Sequence, residues 1–409
     1  MRIPLARPDI TEREVEAVTR VLRSGQLSLG PRLEEFEEKL AAFSGARYAV
    51  ACNSGTSALH LSVKALGIGS EDEVLTSSFS FVASVNCLLF ERAVPVFADI
   101  DPRTLNLDPS AVRAVILRDY RWSVDRKHLV NRHTGRTLRA LLPVHVFGLP
   151  CDMRALVSIA REFRLAILED SCEALGAEVD GRRAGTFGDV GVFAFYPNKQ
   201  ITTGEGGALV TDDWQIARLS RSLRNQGRDD RSEWLRHTHL GYNYRLSELH
   251  CALGIVQLER ANELIAARAR VAAAYLDQLA GIPGLSLPAE SPGVRRSWFV
   301  YVIRLQGPAI RLSRDRLLAE LRRRGIGCAA YFPPIHLQPY FREHCSAPRD
   351  PLPHTEAAGR ECLALPFFSS MTAEQVEEVS AAVRRVLSVA STHTRGPVRR
   401  LRAAASGAS

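Results

Sequence analysis

Between Tyr48 and Asp213 the chain alternates short apolar runs with segments of helical period, and few folds accept that rhythm. The runs YAVACN, DEVLTSS, VPVFADI, ALLPVHVFG, LAILED, GVFAFYP and GALVTDD have strand length and are rich in Val, Ile, Leu and Phe. TSALHLSVKALG, FVASVNCLLFERA and MRALVSIAREF intervene, with apolar residues returning every three or four positions. Such alternation builds βα units, and so an α/β fold: a mostly parallel central sheet flanked by helices, with ligands beyond the C-terminal strand ends. Two helices precede it: TEREVEAVTRVLRSG, with Thr11 as cap, Glu14 three residues on and Gly25 at the stop, then PRLEEFEEKLAAFSG.

A chain of 409 residues exceeds one small core, so two domains are expected. A large domain is assigned to 1–250 and a smaller C-terminal α/β domain to 251–390. The long helical pattern LSELHCALGIVQLERANELIAARARVAAAYLDQLAG carries the chain from one to the other. The second domain takes its strand from SWFVYVIRL and its helices from RDRLLAELRRRG and AEQVEEVSAAVRRVL. Residues 391–409 read as a disordered tail, and the polar stretch 118–137 as a surface insertion.

Composition excludes several functions. No run approaches the ~18 apolar residues that span a bilayer, and the N-terminus shows no secretory core before Pro4 and Pro8, so a cytoplasmic protein is expected. The net charge of +8 suggests nucleic acid, but Arg395, Arg399, Arg400 and Arg402 supply four of those charges from the tail. The eight cysteines form no CxxC or CxxH pair, which argues against a zinc ribbon or a disulfide framework and for small buried hydrophobes. Asp99, Asp101 and Asp108 read as turn and cap residues, and His237 and His239 lack companions for a metal site.

Of 53 basic residues only Lys39, Lys64, Lys127 and Lys199 are lysine. Arg supplies charge, but a Schiff base needs an amine that can lose its proton. Lys39 and Lys64 lie on helices and Lys127 in the polar insertion. Lys199 follows an aromatic-rich strand and precedes a Gly-rich turn, where an amine can face a cofactor. In C-N-S-G-T-S-A-L a strand ends and a helix begins, which reads either as a phosphate-binding helix N-terminus or as an ordinary N-cap. Asp170 ends the strand LAILED and either caps a helix or pairs with a protonated ring nitrogen.

In order along the chain, NSGTSAL, DEVLTSSFSFVAS, PVFADIDPRTLNLD, PVHVFGLPCDM, LEDSCEALGA, GTFGDVGVFAFYPNKQITTGEGG, GYNYRLSELHCALGIVQLER and YFPPIHLQPY resemble the DegT/DnrJ/EryC1/StrS family of sugar aminotransferases. These are fold-type-I, aspartate-aminotransferase-like enzymes that use pyridoxal 5′-phosphate (PLP). The resemblance runs from the first helix to the last. It implies that Lys199 forms the Schiff base and moves the proton, and that Asp170 pairs with the pyridine nitrogen. Phe81 then stacks on the ring, Gly55, Thr56 and Ser57 hold the phosphate, and Glu173 lies near the cofactor. Asn243 and Arg245 reach the phosphate of the neighbouring subunit's cofactor, which implies a homodimer with shared sites. Tyr331 and His336 lie near the sugar.

Two positions depart from the family's pattern. Ala194 stands where a phosphate-binding Ser is common, with Thr203 as a candidate substitute. Glu173 stands where Gln or His is common. The implied reaction takes an amino group from L-glutamate to a keto-sugar, expected to be nucleotide-linked. A sugar dehydratase of the same family is disfavoured, because it carries His in place of the lysine. An aminotransferase acting on a cyclitol ketone and a non-catalytic PLP-binding regulator are the alternatives, and neither a metal nor a membrane partner is expected.

Overall fold

The computed structural model describes residues 2–125, 127–228, 236–307 and 312–392, the last four of these as backbone only. In chain order its strands are β1 (Tyr48–Cys52), β2 (Asp72–Ser77), β3 (Val94–Ala98), β4 (Tyr120–Ser123), β5 (His128–Asn131), β6 (Thr137–Leu142), β7 (Ala166–Asp170), β8 (Glu178–Val179), β9 (Arg182–Arg183), β10 (Val190–Ala194), β11 (Gly207–Thr211), β12 (Leu285–Ser286), β13 (Val294–Arg295), β14 (Tyr301–Leu305), β15 (Ala329–Ala330) and β16 (Cys362–Leu365).

The main sheet runs β1-β11-β10-β7-β6-β2-β3. Along this path β11 alone is reversed: it pairs antiparallel with β1 and β10, whereas β10, β7, β6, β2 and β3 are parallel neighbours. The C-terminal ends of β1, β2, β6, β7 and β10 therefore open on one edge. Strand residues Ala49 to Cys52 are each no more than 1% exposed, because helices cover both faces. The helix Gly55–Ala65 buries Ala58, Leu59, Leu61 and Val63 against this sheet. Each of the three larger side chains contributes roughly 1.5–3 kcal/mol relative to exposure.

The N-terminal helix Glu12–Ser24 carries the expected capping box between Thr11 and Glu14 and ends on Gly25, whose φ is 73°. The single long helix expected after Leu246 is instead two, Glu248–Glu259 and Ala261–Leu279. They meet at Arg260, whose ψ is 0° and whose guanidinium turns aside to Glu14 Oε1 and Asp9 Oδ1, each at 2.8 Å. The second helix packs Val271, Ala272, Tyr275 and Leu279 against a separate core with Ile303, Leu317 and Val379. That core belongs to an antiparallel sheet, β12-β14-β16-β15, in which SWFVYVIRL supplies strand only from Tyr301. A third sheet, β13-β8-β9, ties loops of the two regions together.

Within 118–137, β4 and β5 pair antiparallel, and β5 pairs in turn with β6. The helix Ala373–Thr392 runs two residues into the stretch read as a tail, and residues 393–409 lie outside the described residues. All eight cysteines are free and six are buried. Among the described residues no helix is long and apolar enough to cross a membrane, and no His, Cys, Asp and Glu group is arranged to hold a metal. Asp101 and Asp108 accept from nearby backbone N–H groups, while Asp99 accepts from His354 and Thr355.

Candidate active site

Where the strands β1, β7 and β10 end, a cavity of about 590 Å³ lies against residues from the antiparallel sheet. Its floor is Asp170. The backbone there is held on both sides, N–H to Pro143 O at 2.9 Å and carbonyl to His145 N at 3.1 Å. Strand alternation turns Glu169 the other way, onto His145 Nε2 at 3.1 Å and the N–H groups of Gly185 and Gly188. The Asp170 carboxyl accepts from Ser84 Oγ at 2.6 Å and from Cys172 N–H at 3.1 Å. A carboxylate has about four acceptor positions, so a further donor from the cavity can still be taken.

Lys199 enters from the turn after β10, its N–H on Tyr196 O at 2.9 Å. Its Nζ lies 3.9 Å from Glu173 Oε1 and 4.0 Å from the centroid of Phe299. It is the one lysine lining the cavity: Lys39 pairs with Glu259 and Lys64 with Glu91, both away from it. Glu173 Oε2 accepts from Phe147 N–H at 2.8 Å. Burial pushes the Glu173 carboxyl up to about 7, against the opposing pull of the Lys199 cation and the Phe147 donor.

The anion cradle is built at Gly55. A Cβ there would fall 2.7 Å from Ala194 Cβ, so only glycine lets the turn approach β10 this closely. Ser54 caps the helix through Ser57 N–H at 3.0 Å, which leaves the first N–H groups, at Gly55 and Thr56, without intrahelical acceptors beside the cavity.

Of the residues expected at the site, Gly55, Thr56, Phe81, Asp170, Glu173, Lys199 and Tyr331 line this cavity. Ser57 lies one position further in, its hydroxyl on Asn53 Oδ1 at 2.7 Å. His336 sits outside the lining, with Nδ1 2.7 Å from Ser78 Oγ and Nε2 3.7 Å from Glu356. Asn243 and Arg245 lie outside it too, Arg245 being held by Asn225 Oδ1 at 3.0 Å. Thr203, the candidate substitute for the hydroxyl missing at Ala194, does not line the cavity and donates its hydroxyl to Glu205 O at 2.7 Å. Tyr196, Asn198, Phe299, Phe332 and Pro333 also line the cavity. Tyr196 and Asn198 flank the lysine within its motif, whereas Phe299 comes from a distant segment that no local pattern marks.

Residues 8–384 match the profile of the DegT/DnrJ/EryC1/StrS aminotransferase family. The chain belongs to that family. It is an enzyme, a PLP-dependent transaminase, and its α/β fold is that of the family's solved structures. GDP-perosamine synthase of Caulobacter vibrioides is 36% identical over 389 residues, covering 94% of this chain and 98% of the relative. DesV of S. venezuelae superposes with a TM-score of 0.82 at 36% identity, over 92% of this chain and 94% of that one. DesI, solved in the presence of its TDP-sugar product, gives 0.83 at 33% identity, over 96% and 94%.

The residues fit the cofactor of this family. Asp170 offers an acceptor at the floor, the Gly55–Thr56 turn offers N–H donors where a Cβ at Gly55 has no room, and one lysine lines the same cavity.

Proposed function

We propose that this transaminase transfers an amino group from L-glutamate to the ketone of a nucleotide-linked sugar, with PLP held at Lys199. The observation that carries the reading is the convergence of Lys199, Asp170 and the Gly55–Thr56 turn on one cavity. The sugar follows from the relatives, whose names speak of perosamine and of a TDP-sugar product.

When bound, PLP supplies the electron sink that makes a proton on the amine-bearing carbon removable. Asp170 would pair with the pyridine nitrogen and keep it protonated. The N-terminus of the helix Gly55–Ala65, with Ser57 behind it, would hold the phosphate, and the exposed ring of Phe81 would cover the cofactor ring. Lys199 Nζ would hold and move that proton, as a positioned amine does in general acid–base catalysis. Glu173, 3.9 Å away, sets the charge beside that amine. Tyr331 meets the sugar, and His336 supports its loop from behind. Asn243 and Arg245 serve the neighbouring subunit of a cytoplasmic homodimer. The large domain, 1–250, carries the cradle, and the smaller one, 251–390, closes over it.

The test is a visible spectrum of the protein with PLP, wild type beside Lys199→Ala, before and after L-glutamate. A visible band in the wild type that glutamate bleaches, absent from the variant, is the expected result. No band in the wild type overturns the cofactor assignment, and a band that glutamate leaves unchanged overturns the donor.

A further inference from the structure

Behind the cavity wall lies a buried cation that the chemistry above does not use. Arg268 projects from the helix Ala261–Leu279 and is 2% exposed. Its Nη2 donates to Lys199 O at 2.7 Å and to Asn198 O at 3.4 Å, and its Nη1 donates to Phe299 O at 3.1 Å. The guanidinium lies 5.7 Å from the centroid of Phe367, and its buried Nε has no hydrogen-bond partner. Its acceptors are backbone carbonyls, and the charge that acts on it, that of Asp9, does so without a hydrogen bond. Burial pulls its pKa down to about 10, which leaves it charged at neutral pH.

Burying a cation with carbonyl partners alone is costly, and an apolar residue of the same length fills such a site more cheaply. Bridging is what the guanidinium adds: a flat, rigid fork with separate nitrogens joins two chain segments that share no strand, where an ammonium would have to meet both from one point. One segment carries Lys199. The other carries Phe299, whose ring stands 4.0 Å from the Lys199 amine. The same lysine loop is also held by Gln200 Nε2, which donates to Glu173 O at 2.6 Å and Ser297 O at 3.0 Å.

We infer that Arg268 is a positioning residue for transamination: it locks the lysine loop to the Phe299 segment and so fixes where the amine meets the cofactor. The inference rests on the assignment of Lys199 as the cofactor lysine. A displacement of about 1 Å in a reacting group can cost ~10²-fold in rate, so loosening this lock acts on turnover rather than on binding.

The experiment compares wild type, Arg268→Met and Arg268→Lys. Met keeps the stem and volume, and Lys keeps the charge without the fork. Both variants are expected to lower kcat by roughly 10- to 100-fold with KM for the amino donor changed less than about twofold. They are also expected to slow borohydride trapping of PLP on Lys199, followed by peptide mass spectrometry. In the cofactor-free protein, amide hydrogen exchange across 197–203 should rise, a readout independent of PLP. Equal exchange, equal trapping and unchanged kcat in Arg268→Met overturn the inference, even if the melting temperature falls. So does full turnover in Arg268→Lys, which also decides the matter should the Met variant not fold. Failure of the cofactor assignment looks different, because the wild type itself then traps no PLP.

Discussion

Glu173 combines two demands that pull its proton in opposite directions. Burial favours the neutral acid, while Lys199, 3.9 Å away, favours the anion, and burial wins, raising the carboxyl from 4.5 to about 7. A carboxyl whose folded value exceeds its unfolded one holds its proton longer in the native state. Stability is therefore lost as pH rises from about 4.5 through about 7, by roughly 3 kcal/mol at most. Glu173→Gln keeps an oxygen for Phe147 N–H and removes the titration. Urea unfolding of the cofactor-free protein should show the variant close to wild type near pH ~5 and more stable near pH ~8, by roughly 2–3 kcal/mol. A stability difference that does not change with pH would refute this. At this scale Lys199, Asp170 and Glu173 were legible, because each sits in a local motif at a strand end. Phe299 and Arg268 were not. Their roles depend on a second segment that the fold brings up to the lysine, and nothing near them in sequence specifies that approach.

Among the elements, the units buried on both faces announced themselves and the edge hairpin did not. Strand β4 exposes Trp122 at 43%, while β5 buries Leu129 and Val130, so neither carries a clean alternation in sequence. What orders the hairpin is polar. Glu73, 1% exposed on β2, accepts from Tyr120 Oη at 2.6 Å, Asn131 Nδ2 at 2.9 Å and Thr134 Oγ1 at 2.7 Å. Replacing it with Ala leaves two buried donors, Tyr120 Oη and Asn131 Nδ2, without an acceptor, a cost of about 2 kcal/mol or more. Glu73→Ala should lower the urea midpoint accordingly and admit trypsin between β4 and β5, while Glu73→Gln, which keeps one acceptor oxygen, falls between. Unaltered trypsin resistance in Glu73→Ala would show that the hairpin is held by its strand pairing instead. Helix breaks were equally hidden: the period of apolar residues continues through Arg260, and only its bonds to Asp9 and Glu14 explain the turn there.

At the level of the molecule, the cavity of one chain is open at its rim. Phe81 and Tyr196 line it yet are 61% and 51% exposed, and Leu240 nearby in sequence to Asn243 is 86% exposed. Uncovered apolar groups at a cavity rim suit either a ligand or a protein partner, and the homodimer proposed above would cover them. The segment bearing Asn243 and Arg245 touches the turn before Gly55 of its own chain through Asn53 N–H on Tyr244 O at 2.9 Å, but neither of those two side chains lines the cavity. Whether they serve their own site or the neighbour's is decided by complementation. In a dimer with shared sites, a chain lacking Lys199 and a chain lacking the Asn243 amide together make one doubly damaged site and one intact site. Lys199→Ala and Asn243→Ala should each be inactive or nearly so, and random reassociation of an equal mixture should return about a quarter of wild-type activity, since half the dimers are mixed and half their sites are whole. If Asn243 acts within its own chain, every site in the mixture carries one lesion and no activity returns.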